Sequence, residues 1–216
     1  MESPQPLVYQ GQFGDFTITD RDRLEVKIYR AGLGVAAICV VLATGLALWQ
    51  GEEAAFGITG LYAGFCAALG ISLWTIHIYL KPLHKLLQLF WLVGVIASLS
   101  IAATAAEPLA LVLYRHPMTL WGVGFSFAAL VGIFFKEAFC FDRFETKLLT
   151  PLVPALILGH MAGLWPLPVE RYLLGAIALL VAVFAARKAI QPIPPDIGDK
   201  SVFEHLAQAS AQAKSA

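Results

Sequence analysis

Long runs of apolar residues, separated by short polar segments, dominate the pattern of this chain. Six runs, at roughly 31–49, 56–80, 83–103, 120–139, 148–164 and 172–186, come close to the length of a membrane span. A helix needs about 20 apolar residues to cross a hydrocarbon layer of about 30 Å. Because backbone groups inside a bilayer must be hydrogen-bonded within the segment, each run is predicted to be an α-helix. The pattern therefore predicts an all-α, polytopic transmembrane helical bundle of about six spans.

A seventh apolar run, at 109–114, is much shorter and lies between Pro108 and Pro117. It is too short to cross the hydrocarbon layer. We therefore predict a short interfacial helix before span four. At the other end of the pattern, Thr19 or Asp20 is expected to cap a helix that continues without a break into span one.

The polar segments divide the chain into three predicted parts. Residues 1–19 form a polar N-terminal arm, residues 20–190 form the six-helix transmembrane domain, and residues 191–216 form a polar C-terminal tail. The tail begins with Pro192, Pro194 and Pro195, which cannot continue a helix. A short amphipathic helix is expected near residues 202–207.

The composition agrees with a membrane protein. Hydrophobic residues make up 58% of the 216 residues and charged residues only 14%, whereas about a quarter of a typical soluble domain is charged. The lipid bilayer is thus the first expected partner. The formal net charge is zero, so nothing in the composition indicates a nucleic-acid partner.

The distribution of Lys and Arg predicts the orientation. If the N-terminus lies inside, the outside loops contain only Arg115 and Arg171. Cytoplasmic loops carry an excess of basic residues, so both termini are predicted to lie on the cytoplasmic side. The thirteen inside residues are Arg21, Arg23, Lys27, Arg30, Lys81, Lys85, Lys136, Arg143, Lys147, Arg187, Lys188, Lys200 and Lys214.

Two pairs of glycines have the spacing of close helix contacts. Gly60 and Gly64 lie in span two, and Gly159 and Gly163 lie in span five. Small residues four apart let helix backbones approach each other. We expect them to support packing inside the bundle, with a homodimer face as the alternative.

Ionisable side chains near the inner ends of the spans are the candidate site: His77, His84, Glu137, Cys140 and Asp142. Such groups are expensive at membrane depth and default to functional hypotheses. Glu137 and Cys140 are three residues apart and are expected to share a helix face. Together the five can form a metal site, a proton relay or a nucleophile with its base. The alternative is that they are interfacial and neutralised by nearby Lys and Arg. No HExxH or CxxC motif decides between these, so metal and cofactor stay open.

Three stretches carry a resemblance to a known family: VYQGQFG at 8–14, TITD at 17–20 leading to YRAG at 29–32, and KEAFCF at 136–141. In these stretches, and over most of the chain up to about residue 190, the protein resembles an uncharacterised domain-of-unknown-function family of integral membrane proteins from cyanobacteria and plant plastids. The resemblance implies a photosynthetic organism and a thylakoid or plasma membrane. It implies no activity, so no functional residue is carried over.

The leading functional hypothesis is a non-enzymatic accessory, scaffold or assembly protein of a membrane complex, which the implied source makes a photosynthetic one. Small soluble parts and the lack of a catalytic motif favour it. One alternative is a small-solute or ion transporter or channel, which predicts a water-accessible cavity lined by His77, Glu137 or His160. The other is a membrane enzyme or metal site at the inner ends of spans two and four.

Overall fold

The computed structural model describes residues 8–203, 205, 206 and 208, and most of them are helical. A hairpin of two antiparallel strands, β1 (Val8–Gly11) and β2 (Gly14–Thr17), precedes the helices. The helices are α1 (Asp20–Trp49), α2 (Ala55–Thr75), α3 (Lys81–Thr104), α4 (Leu109–Arg115), α5 (Leu120–Phe141), α6 (Phe144–Met161), α7 (Leu167–Ile190) and α8 (Pro194–Ile197). Single 3₁₀ turns, Gly51–Ala54 and Pro117–Thr119, lead into α2 and α5.

Five helices in the described part of the chain are long and apolar enough to cross a membrane. They are α1, α3 and α7, together with α2 and α5 counted from their 3₁₀ turns. The prediction of an all-α, polytopic bundle is confirmed. The short helix expected before span four is α4.

The sixth pass of the bundle is α6, which has 18 residues and is not among these five helices. Glu145 at its start contacts Arg187 at the end of α7, and His160 near its end contacts Glu170 at the start of α7. Two helices that meet at both ends run antiparallel along the same length. The chain therefore passes through the bundle six times.

Both ends of the described chain lie at the same end of the bundle. Arg30 of α1 binds Asp196 of α8, which follows the last long helix. We call this the inner end, following the charge distribution, and the opposite one the outer end. Thr19 caps α1 as predicted: its hydroxyl accepts from the Asp22 backbone, and the Asp22 carboxylate accepts from the Thr19 backbone.

The β-hairpin and the segment after α8 form one layer across the inner end. The Gln12 amide donates to the Asp199 carboxylate at 2.6 Å, and the Phe13 amide donates to the Ser201 hydroxyl at 3.0 Å. Ile18 and Ile197 belong, with Val26 of α1, to one buried apolar cluster below this layer. The polar arm and the start of the tail, predicted as separate parts, are thus in contact, while residues 1–7, 204, 207 and 209–216 lie outside the described part.

The second span ends earlier than the sequence pattern indicated. The apolar run reaches residue 80, but α2 ends at Thr75 and residues 76–80 are not helical. Side chains of α3 replace the lost helical donors: His84 contacts the Leu73 carbonyl at 2.6 Å, and Gln88 donates to it at 3.3 Å. A helix can end in a buried position when other groups satisfy its last carbonyls.

Candidate functional site

Glu137, near the end of α5, is the centre of a buried charge network at the inner end. Its side chain is fully buried. The Tyr29 hydroxyl from α1 and the Lys136 ammonium each donate to Oε1 at 3.0 Å. The Lys188 ammonium from α7 donates to Oε2 at 2.7 Å. Both carboxylate oxygens therefore have partners, as a buried charge requires.

The network continues from α7 into α8. Lys188 also contacts the Asp196 carboxylate, which Arg30 of α1 binds through Nε at 2.8 Å. Arg30 in addition donates to the backbone carbonyls of Gln191 and Pro192. The prolines after α7 end that helix and turn the chain, so that Asp196 returns beneath the bundle and joins three helices.

Two aromatic rings enclose the lysines of the network. The Lys188 ammonium lies 4.6 Å from the ring centre of Phe141 and 5.4 Å from that of Tyr29. The Lys136 ammonium lies 5.2 Å and 5.9 Å from the same two rings. These are cation–π distances, and they stabilise a charged amine where water is scarce.

A second ionic group lies beside the first, at the start of α6. Glu145 accepts from Arg187 at 2.6 Å through Oε2, and its Oε1 lies 3.7 Å from Nη1 of Arg143. These last two atoms are buried and have no hydrogen-bond partner in the described part. Arg143 is held by the side chain of Gln191.

The charges of the Glu137 network do not cancel. Two carboxylates, Glu137 and Asp196, face three cations, Arg30, Lys136 and Lys188. Desolvation offsets much of the attraction in a buried ion pair, so the network is weak as a source of stability. Removing one partner is strongly destabilising, however, because the others stay buried and unpaired.

The five candidate residues do not gather into one site. His77 follows α2 and lies 3.4 Å from Glu25, and burial lowers the pKa of its imidazole below the ordinary value although Glu25 opposes this. His84 binds the Leu73 carbonyl at the end of α2. Neither histidine is among the contacts of Glu137 described above.

Cys140 and Asp142 also lie apart from the buried carboxylate. Cys140 is exposed, whereas Glu137, three residues earlier, is buried. A spacing of three leaves two side chains about 60° apart around a helix, so the two can face different surroundings at its edge. Asp142 is exposed in left-handed conformation after α5 and pairs with Lys147, which lowers the pKa of its carboxyl. In the described part of the chain, no three His, Cys, Asp or Glu side chains are placed to hold a metal ion.

The four predicted packing glycines have different environments. Gly64 lies against Cys39 of α1, so this position does serve a helix contact. Gly60 faces open space. Gly159 is covered by the Trp165 ring from the loop after α6, and Gly163 has φ of +64° in that same loop. The second pair therefore shapes the end of α6 rather than a contact between helices.

Other small residues make the close helix contacts that the sequence reading missed. Gly32 of α1 lies against Ala68 and Ser72 of α2, and Gly94 of α3 lies against Ser126 of α5. A small residue does follow each of them by four positions, Ala36 after Gly32 and Ser98 after Gly94. The signal was therefore present, but the sequence analysis considered only pairs of glycines.

The outer half of the bundle contains a cavity of about 520 Å³ between α1, α2, α4, α5, α6 and α7. Its wall is mostly apolar and reaches the middle of the bundle. The deepest lining side chains are Leu130, Val153, Ile177 and Val181. Pockets of this size bind small molecules in other proteins.

Polar side chains meet at the mouth of the cavity. The His160 Nδ1 lies 2.7 Å from Glu170, and the ring of Tyr114 stacks on His160. Arg171 donates to the backbone carbonyl of Leu48 at 2.6 Å. We call this group, with Glu52, the cavity rim.

Sequence reasoning counted Arg30 and Lys188 only as inside charges and did not single out Tyr29 or Asp196. A signal was present for Lys188: it follows the buried Phe184 by four residues and therefore shares its helix face. Asp196 gave no comparable signal, because its place depends on the turn after α7.

Five helices that are long and apolar enough to cross a membrane define an integral, multi-pass membrane protein. The family model described as "Uncharacterized integral membrane protein (DUF2301)" matches residues 71–205, and the chain belongs to that family. The family inferred from the three sequence stretches is confirmed; the match includes the stretch at 136–141.

One relative comes from Haemophilus influenzae and is named "Uncharacterized protein". It is 28% identical over 185 residues, which cover 85% of this chain and 92% of that protein. No solved structure matches the chain. The photosynthetic source and the thylakoid membrane remain predictions.

Proposed function

We propose that this protein is a carrier that moves a small, largely apolar molecule across its membrane. The observation that carries the proposal is the cavity in the outer half of the bundle, whose lining ends inward at Leu130, Val153 and Val181. The transporter hypothesis predicted a cavity lined by His77, Glu137 or His160, and His160 does line this cavity. Volume and wall chemistry are those of a small-molecule site.

Three large side chains close the cavity, one helical turn further inward than its deepest lining residues. Phe134 and Phe184 meet edge to face with ring centres 5.3 Å apart. Leu149 is fully buried beside them. We call these three residues the cavity floor. A dry, close-packed layer of this kind is a barrier to any solute.

The Glu137 network is the next layer inward. Glu137 follows Phe134 by three residues, and Lys188 follows Phe184 by four. Floor and network together thus form one inner barrier on α5 and α7. A carrier opens its two barriers in turn. Because the network has more cations than carboxylates, a carboxylate that leaves one cation can pair with another.

The wall of the cavity favours an apolar solute over an ion. Below the rim, it presents Leu, Ile, Val and Phe side chains. An ion leaving water needs polar groups that replace its hydration shell. For that reason we favour a carrier over an ion channel.

Accessibility of one cysteine tests the proposal. In a variant with Cys39→Ala, Cys66→Ala and Cys140→Ser, Ile177→Cys places the single thiol in the cavity wall, and Leu179→Cys places a matched control on the exposed side of α7. Proteoliposomes are treated with a small, charged thiol reagent from either side. A carrier shows modification of Cys at 177 from the outer side and, in a second population, from the inner side.

Glu137→Gln, which weakens the inner barrier, should increase modification from the inner side. The control at 179 should react poorly from both sides, because it faces lipid. Reaction of the cavity thiol from the outer side alone, in both backgrounds, would contradict the carrier.

An accessory role in a membrane complex is the second candidate. The observation that favours it is an exposed aromatic patch at the inner end, formed by Phe135, Phe139 and Phe144. Gentle detergent extraction from the native membrane, followed by mass spectrometry, tests it. Recovery of one stoichiometric complex supports the role, and loss of that complex in Phe139→Ala and Phe144→Ala variants assigns the surface.

A further inference from the structure

We infer that the cavity holds the acyl chain of a single-chain anionic amphiphile, with the acidic headgroup at Arg171. The inference rests on the same cavity as the proposed carrier and names its ligand class. It does not require transport, since a bound chain can also be a fixed part of the protein.

The length of the cavity fits one leaflet. Along α7, Arg171 lies at the mouth and Val181 at the deepest point. Ten residues of helix correspond to roughly 15 Å, which is half of a hydrocarbon layer of about 30 Å. A chain in the cavity thus occupies the depth that lipid chains occupy in the surrounding outer leaflet.

The charges at the mouth select the headgroup. Glu170 is paired with His160, and Glu52 is paired with Arg115. Arg171 has no carboxylate partner among the described residues; it donates only to the Leu48 carbonyl, through one Nη. A guanidinium has five N–H donors, so Arg171 can bind a carboxylate or phosphate with the others while keeping that bond.

The volume indicates one chain rather than two. The cavity, at about 520 Å³, lies in the middle of the range of small-molecule pockets, roughly 300–1,000 Å³. A fatty carboxylate or a monoacyl phosphate combines one apolar chain with one anionic group. Both share the chemistry that Arg171 and the wall recognise.

Photolabelling with a defined probe tests the inference. The protein, in nanodiscs of zwitterionic lipid, is irradiated with palmitate that carries a mid-chain diazirine, and labelled peptides are mapped by mass spectrometry. We expect adducts on the wall residues of α6 and α7, around Val153, Leu156 and Ile177. Unlabelled palmitate should compete about tenfold better than hexadecanol, because the alcohol lacks the charge-assisted bond to Arg171.

Variants separate headgroup from chain. Arg171→Gln should reduce the affinity for palmitate about tenfold, whereas Arg171→Lys should retain most of it. Leu156→Trp fills the cavity and should abolish labelling. Leu158→Trp is the matched control, because its side chain is exposed on the same helix and does not line the cavity; both must elute as folded protein.

Competition by unlabelled lysophosphatidate, compared with competition by unlabelled palmitate, distinguishes a monoacyl phosphate from a fatty carboxylate as the preferred ligand. Labelling spread over exposed residues, equal in the 156 and 158 variants, would overturn the inference. So would equal competition by acid and alcohol. Saturable labelling together with thiol access from the outer side alone leaves the site in place and refutes the carrier, while thiol access from both sides without labelling refutes only the acyl ligand.

Discussion

The outer and inner halves of the bundle are built from the same helices but differ in how these helices contact one another. In the outer half, α1, α2 and α5–α7 stand apart around a cavity with an apolar wall. In the inner half, α5 and α7 close over the cavity floor, and Glu137, Lys188 and Asp196 join them to each other and to α8. Apolar contact alone does not hold helices together in lipid, because lipid chains are as apolar as the helices.

The comparison teaches where the bundle is fixed and where it is open. Hydrogen-bonded charges make specific, directional contacts between α1, α5, α7 and α8. The outer contacts, such as Arg171 with Leu48, are fewer and lie at the surface. We therefore place the directional helix contacts at the inner end and, in the state that the structure describes, ligand access at the outer end.

The largest expected effect comes from breaking the inner network. Glu137→Gln leaves three cations around one carboxylate and should lower the free energy of unfolding by roughly 3–5 kcal/mol. Thermal unfolding in detergent, followed by size-exclusion chromatography, measures the loss. Asp142→Asn is the control, because that carboxylate is exposed on the same segment, and it should change nothing measurable. A double variant Glu137→Gln and Lys188→Met should recover part of the loss, and equal stability of all three would refute the network's role.

A second test adds volume to each half. Leu149→Phe enlarges a fully buried floor residue and should destabilise the protein by about 1–3 kcal/mol. Val153→Phe, one turn outward on the same helix, extends into the cavity and should change stability by less than about 1 kcal/mol. The same unfolding measurement compares them. If both cost the same, the halves are equally well packed and the comparison fails.

The smallest expected effect is a pH dependence of stability, which arises from His77 at the inner surface. Burial lowers the pKa of His77 below its ordinary value of 6.5; Glu25 and Asp22 oppose this, and Lys136 and Lys200 add to it. As the pH falls, the His77 imidazole is therefore protonated in the unfolded chain before it is protonated in the folded one. The contribution of His77 to the free energy of unfolding is fully present above about pH 7 and is lost as the pH drops through about 6.5. Melting temperatures between about pH 7.5 and 5.5 should show this decline.

His77→Gln should flatten that profile, because glutamine does not titrate. Asp199 does not interfere: its bonds to Ser201 and Gln12 lower the pKa of its carboxyl from 3.8, so its contribution is lost only in stronger acid. Parallel profiles for protein and variant would exclude His77 as the cause.

Local patterns predicted the fold well because each span is decided by its own composition. The boundary at Lys81–Pro82, the cap at Thr19 and the short helix α4 all depend on neighbouring residues. The early end of α2 was not predictable, since it depends on His84 and Gln88 folding back from the next helix.

Of the buried charge network, the sequence analysis had singled out only the central residue, Glu137. Glu137 stood out because a carboxylate is unusual near a span, but its partners Tyr29 and Lys188 lie more than fifty residues away in the chain or on another helix. The expected partners, His77 and Cys140, were chosen by depth and spacing. Depth along a helix does not tell which way a side chain faces.

Hydropathy and charge along the chain were enough to predict a bundle of apolar helices with its basic residues gathered at one end, because both properties act on each segment separately. Packing between the helices established the cavity in the outer half, with Arg171 at its mouth, and the return of Asp196 to Lys188 and Arg30. Both features arise between helices distant in sequence, where side-chain direction and the turn after α7 determine which groups meet.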